Sequence, residues 1–305
     1  DWTLAIHGGS GTMTRERIGE GAAYRAGLAA ALEAGRAVLA AGGCALDAVE
    51  ASVMTLEDDP QFNAGRGGVF TAEGFNELDA AIMDGAARTA GAIAGATRTR
   101  NPIRLARAVM EHSPHVLLAR EGADVFSLEQ GLEQVDPAWF RTEERWQALQ
   151  AMKAAAARGE PLFDKALKYG TVGAVARDAD GRLAAATSTG GLTGKRWGRI
   201  GDSPLIGAGT WADDAVAISA TGSGEDFIRI AAAHEISARV RLCGEKPDVA
   251  AAAVIAQLKA LGGDGGIILA GSDGSIGWSF NTPGMFRACV TASTKPIVAI
   301  FADEG

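Results

Sequence analysis

Two pairs of short apolar runs in the second half of the chain are joined by turns that are too short to hold a helix. Residues 171–175 and 182–186 flank one Asp-Gly turn, and residues 266–270 and 275–280 flank another. Apolar runs joined in this way are typical of β-hairpins, in which neighbouring strands are antiparallel. The chain is therefore expected to fold around antiparallel sheets, which excludes strict βαβ alternation.

Alanine-rich segments supply helices to cover these sheets. The predicted helices are 21–41, 45–56, 101–111, 143–158, 225–240 and 249–261, and the further predicted strands are 3–6, 69–70, 78–83, 216–220 and 296–301. The 41 glycines and the many alanines allow helices to pack closely on sheets. The predicted class is α+β, and 305 residues make one large domain or two smaller ones.

Charge and cysteine content exclude several classes of protein. A net charge of −8 argues against nucleic-acid binding, which needs a basic face. No apolar run approaches the length of a membrane helix. Cys44, Cys243 and Cys289 are far apart and form no CxxC pair, so zinc and disulfide frameworks are not expected. We expect all three to be buried apolar residues and the protein to be cytoplasmic.

A glycine-rich stretch at residues 207–212 (GAGTWA) matches the loose form of a dinucleotide-binding loop. Such a loop should follow a strand and open a helix, whereas a further strand is predicted here. A nucleotide-binding module stays open as an alternative from a different functional class.

Thr171 follows Gly170 at the start of a predicted strand, after a helix that ends near a break at 159–161 and an expected exposed linker up to Lys168. If the bond before Thr171 is cut, its new α-amine, with a pKa of about 8, can act as general base for its own hydroxyl. Gly170 has no Cβ, which lets that hydroxyl reach the preceding carbonyl. A Gly-Thr pair at a strand start can equally be structural only, and spacing alone does not decide.

Four motifs occur in an order that carries a resemblance: residues 6–9 (IHGG), 62–65 (FNAG), 170–175 (GTVGAV) and 280–285 (FNTPGM). Through them the chain resembles, over almost its whole length, the plant-type L-asparaginase and isoaspartyl aminopeptidase family of N-terminal-nucleophile hydrolases. The resemblance implies a four-layer αββα sandwich and self-cleavage into an α subunit, 1–170, and a β subunit, 171–305. Together these would form one domain, and two processed chains would form an (αβ)₂ assembly.

The resemblance also implies roles for residues of the catalytic centre. Thr171 would be the nucleophile, and Thr189 would hydrogen-bond near its hydroxyl. Thr221 and the backbone N–H of Gly222 would form the oxyanion hole. Asn63 would support the nucleophile from the α subunit.

A second set of residues would select the substrate. Arg199 would bind its α-carboxylate, and Asp202 its α-ammonium group. Gly222 and Gly224 would let the loop approach the ligand. No cofactor is implied for catalysis. A structural Na⁺ is implied, held mainly by the backbone carbonyls of Leu56, Glu57, Asp59, Phe62, Ala64 and Arg66.

The sequence departs from the family pattern at two places. Lys195-Arg196-Trp197 replaces a less bulky and less basic stretch with proline, and Arg66 replaces an aliphatic residue. We expect both to border the entrance and to affect the preference for the leaving group.

The function implied is hydrolysis of β-aspartyl (isoaspartyl) dipeptides and, more weakly, of L-asparagine, with release of L-aspartate. Two alternatives within the same fold are a glycosylasparaginase-like amidase and an uncleaved, inactive binding protein.

Overall fold

The computed structural model describes residues 1–159 and 170–304. Helices and strands alternate irregularly along these ranges. The helices are α1 (Arg15–Ile18), α2 (Ala22–Ala40), α3 (Ala45–Asp58), α4 (Pro102–His112), α5 (Arg120–Glu129), α6 (Glu143–Ala157), α7 (Gly224–Arg229), α8 (Ala232–Cys243) and α9 (Pro247–Ala260), with a 3-10 turn at Pro137–Phe140. The predicted linker residues 160–168 lie outside the described residues.

Twelve strands in the described ranges form two sheets. The strands are β1 (Thr3–Gly11), β2 (Leu78–Asp84), β3 (Thr89–Ala96), β4 (Leu117–Ala119), β5 (Val172–Arg177), β6 (Leu183–Thr189), β7 (Thr210–Ala212), β8 (Val216–Gly222), β9 (Gly265–Gly271), β10 (Ile276–Phe280), β11 (Gly284–Thr291) and β12 (Ile297–Phe301). The larger sheet has the order β12-β11-β1-β5-β6-β2-β3-β4, and the smaller has the order β10-β9-β8-β7. Among the paired strands of the described ranges, β3 and β4 are parallel and every other pair is antiparallel.

Alternation along each strand divides the apolar side chains between separate clusters. In β1, Leu4 and Ile6 belong to the cluster shared with α2, α3 and α4, whereas Ala5 belongs to a cluster with residues of both sheets. That cluster is rich in small side chains such as Ala185 and Ala217. A third cluster joins the smaller sheet to α8 and α9. Small side chains between the two sheets thus let them approach closely.

The antiparallel pairing predicted from the two Asp-Gly turns is confirmed by the hairpins β5–β6 and β9–β10. A mixed helix-and-sheet class is likewise confirmed. None of the helices in the described ranges combines the length and apolar character needed to cross a membrane.

Several predicted elements are wrong in type or extent. Residues 69–70 are not a strand, and Phe70 instead packs against α6. The predicted helix 225–240 is two helices, because Ala231 adopts a left-handed conformation (φ 48°). Strands β3 and β11 were not predicted, since β3 is mostly small residues and β11 contains the buried Arg287.

The first strand and the cysteines also need correction. β1 continues through the predicted glycine loop to Gly11, with a register shift between His7 and Gly9. Cys289 is buried as expected, but Cys243 is exposed and Cys44 is only partly buried. No disulfide joins the three.

The contact of β3 with α4 generates a stability prediction. A Cβ on Gly91 would lie 2.0 Å from the Ala106 carbonyl oxygen and 2.5 Å from the Met110 backbone nitrogen. We expect Gly91→Ala to lower the free energy of unfolding by about 1–3 kcal/mol, because backbone cannot move aside as a side chain can. Gly122→Ala is the matched control in exposed α5, with open space around its Cβ, and should stabilise by up to about 1 kcal/mol. Urea unfolding of both variants checks this, and equal effects would contradict it.

Candidate active site

Thr171 lies immediately before β5, which pairs with β1 on one side and β6 on the other. Its hydroxyl donates to the hydroxyl oxygen of Thr189, the last residue of β6, over 3.0 Å. The same Thr189 oxygen accepts the Gly191 N–H at 3.0 Å. Strand pairing therefore brings the predicted nucleophile and its predicted partner into direct contact.

Gly170 is held between two other backbone segments. Its φ of +107° is one that L side chains rarely adopt, and an added Cβ would lie 2.8 Å from the Asn63 nitrogen. The Gly170 carbonyl accepts the Asn63 N–H at 3.1 Å. From the other side, a Cβ on Gly9 would lie 2.5 Å from the Gly170 Cα. Only glycine fits at this position.

The Asn63 side chain connects the loop after α3 to the turn after β6. Its Oδ1 accepts the Val69 N–H at 2.9 Å, and its Nδ2 donates to the Gly191 carbonyl at 2.8 Å. Asn63 therefore contacts the surroundings of Thr171 through the backbone of Gly170 and Gly191.

A narrow cleft opens at Thr171. It is lined by Ser10, Asn63, Gly170, Thr171, Gly191, Leu192, Thr221 and Gly222. Thr221 and Gly222 come from the end of β8. Gly222 has a φ of +143°, and a Cβ there would lie 2.3 Å from the Asp264 carbonyl oxygen. The Ser10 hydroxyl donates to the Thr221 carbonyl at 3.2 Å, joining β1 to this wall.

The residues predicted to bind the substrate lie next to this cleft. A Cβ on Gly224 would be 2.7 Å from Arg199 Nη2 and 3.0 Å from Asp202 Oδ1. A Cβ on Gly191 would be 3.6 Å from Arg199 Nη1, so Arg199 reaches the cleft wall. The structure thus brings the cationic and anionic side chains together.

Asp202 is a buried carboxyl whose Oδ2 has no hydrogen-bond partner among the described residues. Burial raises the pKa of Asp202 to about 7, opposed by the nearby positive charge of Arg199. A buried carboxylate oxygen without a hydrogen-bond partner is costly unless a donor or a cation joins it. Asp202 is therefore suited to bind a cationic group.

His7 is a buried residue of β1, next to β5. Its Nε2 lies 2.9 Å from the Ser219 hydroxyl, which is 2.7 Å from that of Thr187. Burial lowers the pKa of His7 to about 3, so the ring stays neutral at physiological pH. The Thr171 backbone opposes this shift, and His7 Nδ1 has no hydrogen-bond partner among the described residues. His7 thus joins β1, β5 and β8 rather than carrying charge in the cleft.

In the loop predicted to hold Na⁺, two backbone carbonyls lie close together, those of Pro60 and Phe62, and of these only Phe62 is a predicted ligand. A Cβ on Gly67 would lie 2.4 Å from the Pro60 carbonyl oxygen and 2.6 Å from that of Phe62. The Leu56 carbonyl cannot receive the usual helical donor, because Pro60 has no N–H. The Glu57 carbonyl accepts the Arg66 N–H at 2.7 Å. Carbonyl oxygens of this kind fit a hard cation.

The residues that depart from the family pattern, at 195–197 and 66, differ in how far they are exposed and in whether they line the cleft. The Lys195 side chain is buried, and its Nζ donates to the Glu77 carbonyl at 2.7 Å. Trp197 is 93% exposed. The Arg66 guanidinium stacks on the Trp139 ring at 4.8 Å, and Arg66 is not among the residues that line the cleft.

Sequence reasoning missed three residues that line the cleft, Ser10, Gly191 and Leu192. It also missed Glu225, which forms an ion pair with Arg199. Ser10 and Glu225 each sit in or beside a glycine-rich motif, at residues 8–11 and 222–224, and that proximity was the available signal. The alternative nucleotide loop leads into β7 and then β8, without the required helix.

Comparison with known proteins gives one consistent result. The family model described as Asparaginase matches residues 1–300. The isoaspartyl peptidase of Escherichia coli (strain K12) is 46% identical over 311 residues, which cover 99% of this chain and 97% of that protein. The isoaspartyl peptidase of Salmonella typhimurium is also 46% identical, with 98% of each chain covered. The plant-type L-asparaginase of Pyrococcus abyssi is 40% identical, with 93% of this chain and 95% of that protein covered.

Identity at this level over nearly the whole length, together with a cleft built around Thr171, confirms the resemblance carried by the sequence motifs. The chain belongs to the family of plant-type L-asparaginases and isoaspartyl peptidases.

Proposed function

We propose that the protein is a self-processing threonine hydrolase that cleaves β-aspartyl dipeptides and, more weakly, L-asparagine, releasing L-aspartate. The observation that carries this proposal is the Thr171–Thr189 hydroxyl contact of 3.0 Å at the cleft, directly after Gly170. Relatives named isoaspartyl peptidase and plant-type L-asparaginase support the substrate class.

Self-processing would begin with attack of the Thr171 hydroxyl oxygen on the Gly170 carbonyl carbon. The hydroxyl proton passes to the amide nitrogen, the C–N bond breaks as an ester forms, and water then hydrolyses the ester. The products are a Gly170 carboxylate and a free Thr171 α-amine. The Asn63 N–H donates to the Gly170 carbonyl oxygen at 3.1 Å and would stabilise the negative charge that develops there.

In substrate hydrolysis, the Thr171 oxygen would attack the β-carbonyl carbon while the freed α-amine takes the hydroxyl proton. Thr189 would hydrogen-bond with the Thr171 oxygen and hold it in place, and Thr221 with the Gly222 N–H would hold the oxyanion. The amine product leaves with a proton. Water then attacks the acyl-enzyme and releases aspartate.

The charged groups beside the cleft would select a free amino-acid head group. Arg199 would bind the α-carboxylate and Asp202 the α-ammonium group, so the scissile bond must lie on the β-carboxyl. Gly222 and Gly224 would leave room for this head group, because a side chain at Gly224 would meet both Arg199 and Asp202.

Two alternatives would use the same site. A glycosylasparaginase-like amidase would act on glycosylated asparagine, and an uncleaved binding protein would hold aspartate without turnover. Incubation with β-Asp-Leu, asparagine and glycosylated asparagine distinguishes the three functions. The proposed enzyme would hydrolyse β-Asp-Leu fastest, the amidase would hydrolyse glycosylated asparagine fastest, and the binding protein would hydrolyse none of them.

We further propose that the clusters on and between the two sheets form a four-layer αββα sandwich. It would comprise an α subunit, 1–170, and a β subunit, 171–305, as one domain, and two processed chains would form (αβ)₂. A cytoplasmic location is supported by the three free cysteines.

A structural Na⁺ is proposed for the loop after α3, held by the carbonyls of Leu56, Glu57, Asp59, Phe62, Ala64 and Arg66. The ion would fix this loop, and with it Asn63, without taking part in the chemistry. The Phe62 carbonyl near Gly67, and a Leu56 carbonyl that lacks its usual helical donor, support a site of this kind.

Thr171→Ala tests the nucleophile. We expect the purified variant to remain a single chain, because the hydroxyl oxygen that would attack the Gly170 carbonyl is missing. Its β-Asp-Leu hydrolysis should fall by at least about 10³-fold, because the same oxygen would attack the substrate. Intact mass spectrometry and a turnover assay measure this. Thr89→Ala, an exposed threonine at the start of β3, should behave as wild type. Normal processing of Thr171→Ala would refute the proposal.

The pH dependence of product binding tests Asp202. With a pKa raised to about 7, this carboxyl becomes protonated as the pH falls and then cannot pair with an ammonium group. Between pH 8 and 6 the affinity for L-aspartate should fall about tenfold. Protonation of a free Thr171 amine would act in the opposite sense. Calorimetry on wild type and Asp202→Asn measures this, and the variant should bind weakly at every pH.

Exchange of Na⁺ for a bulky organic cation tests the loop. We expect a lower thermal unfolding temperature that recovers with added NaCl, since a bound ion stabilises the folded state by mass action. The same concentration of choline chloride is the control for ionic strength, and equal recovery in both salts would count against a specific site.

A further inference from the structure

Glu225 holds the arginine that is assigned to the substrate carboxylate. It is the second residue of α7 and directly follows Gly224. Its two carboxylate oxygens accept hydrogen bonds from Arg199 Nε at 2.8 Å and Nη2 at 2.9 Å. This is the two-point geometry in which a guanidinium is held most firmly, because both its position and its plane are fixed.

The pairing leaves one edge of the guanidinium toward the cleft. Glu225 contacts Nε and Nη2, whereas Nη1 lies 3.6 Å from the Cβ position of Gly191 and 2.9 Å from that of Gly201. Gly191 lines the cleft beside Thr171. The Nη1 end is therefore directed to the site, and the opposite edge is directed to Glu225.

Burial differs between the two partners. The Arg199 side chain is 18% exposed and that of Glu225 is 59% exposed, so Glu225 covers the arginine from the solvent side. A Cβ on Gly224 would meet both Arg199 Nη2 and Asp202 Oδ1. The start of α7 thus fixes the spacing of the two head-group residues through its backbone and orients one of them through Glu225.

We propose that Glu225 is a positioning residue that aims Arg199 at the substrate α-carboxylate, an inference that rests on the proposed function. Removal of Glu225 would change the affinity for substrate in two opposite ways. A negative charge near the site repels a carboxylate, so charge alone would make substrate binding stronger when Glu225 is removed. Loss of the fixed orientation makes it weaker, because a free arginine must be ordered on binding.

The sign of the change in KM therefore tests the proposal. For Glu225→Gln we expect KM for β-Asp-Leu to rise about tenfold while kcat stays within about twofold, because the group acts on binding and not on the reacting atoms. Glu225→Asp keeps the carboxylate on a shorter side chain, so its KM should lie between those of wild type and Glu225→Gln. Glu235→Gln is the matched control, because Glu235 accepts from Arg239 Nε at 3.0 Å on α8, away from the cleft.

A second substrate separates positioning from general damage. A β-Asp-Leu analogue with its aspartyl α-carboxylate converted to an amide cannot pair with Arg199. Wild type should turn over this analogue slowly, and Glu225→Gln should turn it over at the same rate. A damaged fold would instead lower the turnover of the analogue as well as that of β-Asp-Leu. Intact mass and the unfolding midpoint of each variant are recorded in parallel.

The outcomes are distinct. An unchanged or lower KM in Glu225→Gln would overturn the positioning role, and a lower KM would mean that Glu225 competes with substrate for Arg199. Equal losses with both substrates would also overturn it. If Glu225→Gln fails to fold, an unchanged KM in Glu225→Asp with a normal unfolding midpoint overturns the role in its place. Failure of wild type to hydrolyse β-Asp-Leu would instead refute the proposed function.

Discussion

Three backbone segments meet at Gly170 with no space for a side chain, and the arrangement of the site depends on that contact. Gly9 brings β1 against it, and Asn63 donates to its carbonyl from the loop after α3. The next residue, Thr171, is thereby fixed relative to both. A nucleophile needs this precision, because a displacement of 1 Å can greatly lower a reaction rate. The glycines act here by permitting contact between backbones and by adopting a positive φ that other residues rarely adopt.

The two charged side chains beside the cleft, Asp202 and Arg199, differ in whether they already have a partner. Asp202 is buried with one oxygen unpaired, whereas Arg199 already has an anionic partner in Glu225. A buried carboxyl without a partner is destabilising and can regain that free energy when a cationic ligand binds. The arginine, by contrast, is prepared in one orientation before any ligand arrives. Binding a zwitterionic head group would therefore draw on ligand pairing at one end and preorganisation at the other.

The sequence predicted the features that depend on local signals. Asp-Gly turns identified two hairpins, and the motif order identified the family and the contact of Thr171 with Thr189. It did not predict β11, because the charged Arg287 interrupts the apolar pattern of this strand. The Arg287 side chain is buried and donates to the backbone carbonyls of Met285 and Phe301. Nor did the sequence predict the break at Ala231 or the Arg199–Glu225 pair. These depend on backbone conformation and on partners that are distant in sequence, which propensity and periodicity do not encode.

The strand order of the larger sheet has a consequence for a chain cut before Thr171. Strands β1 to β4 would belong to one fragment and β5, β6, β11 and β12 to the other, so the fragments would alternate within a single sheet. They could not part without breaking the pairings β11–β1, β1–β5 and β6–β2. Refolding after denaturation would then become a bimolecular reaction that depends on concentration. The cut protein would then be held together by strand pairing between its fragments, and its stability would depend on protein concentration, which is not so for the uncut chain.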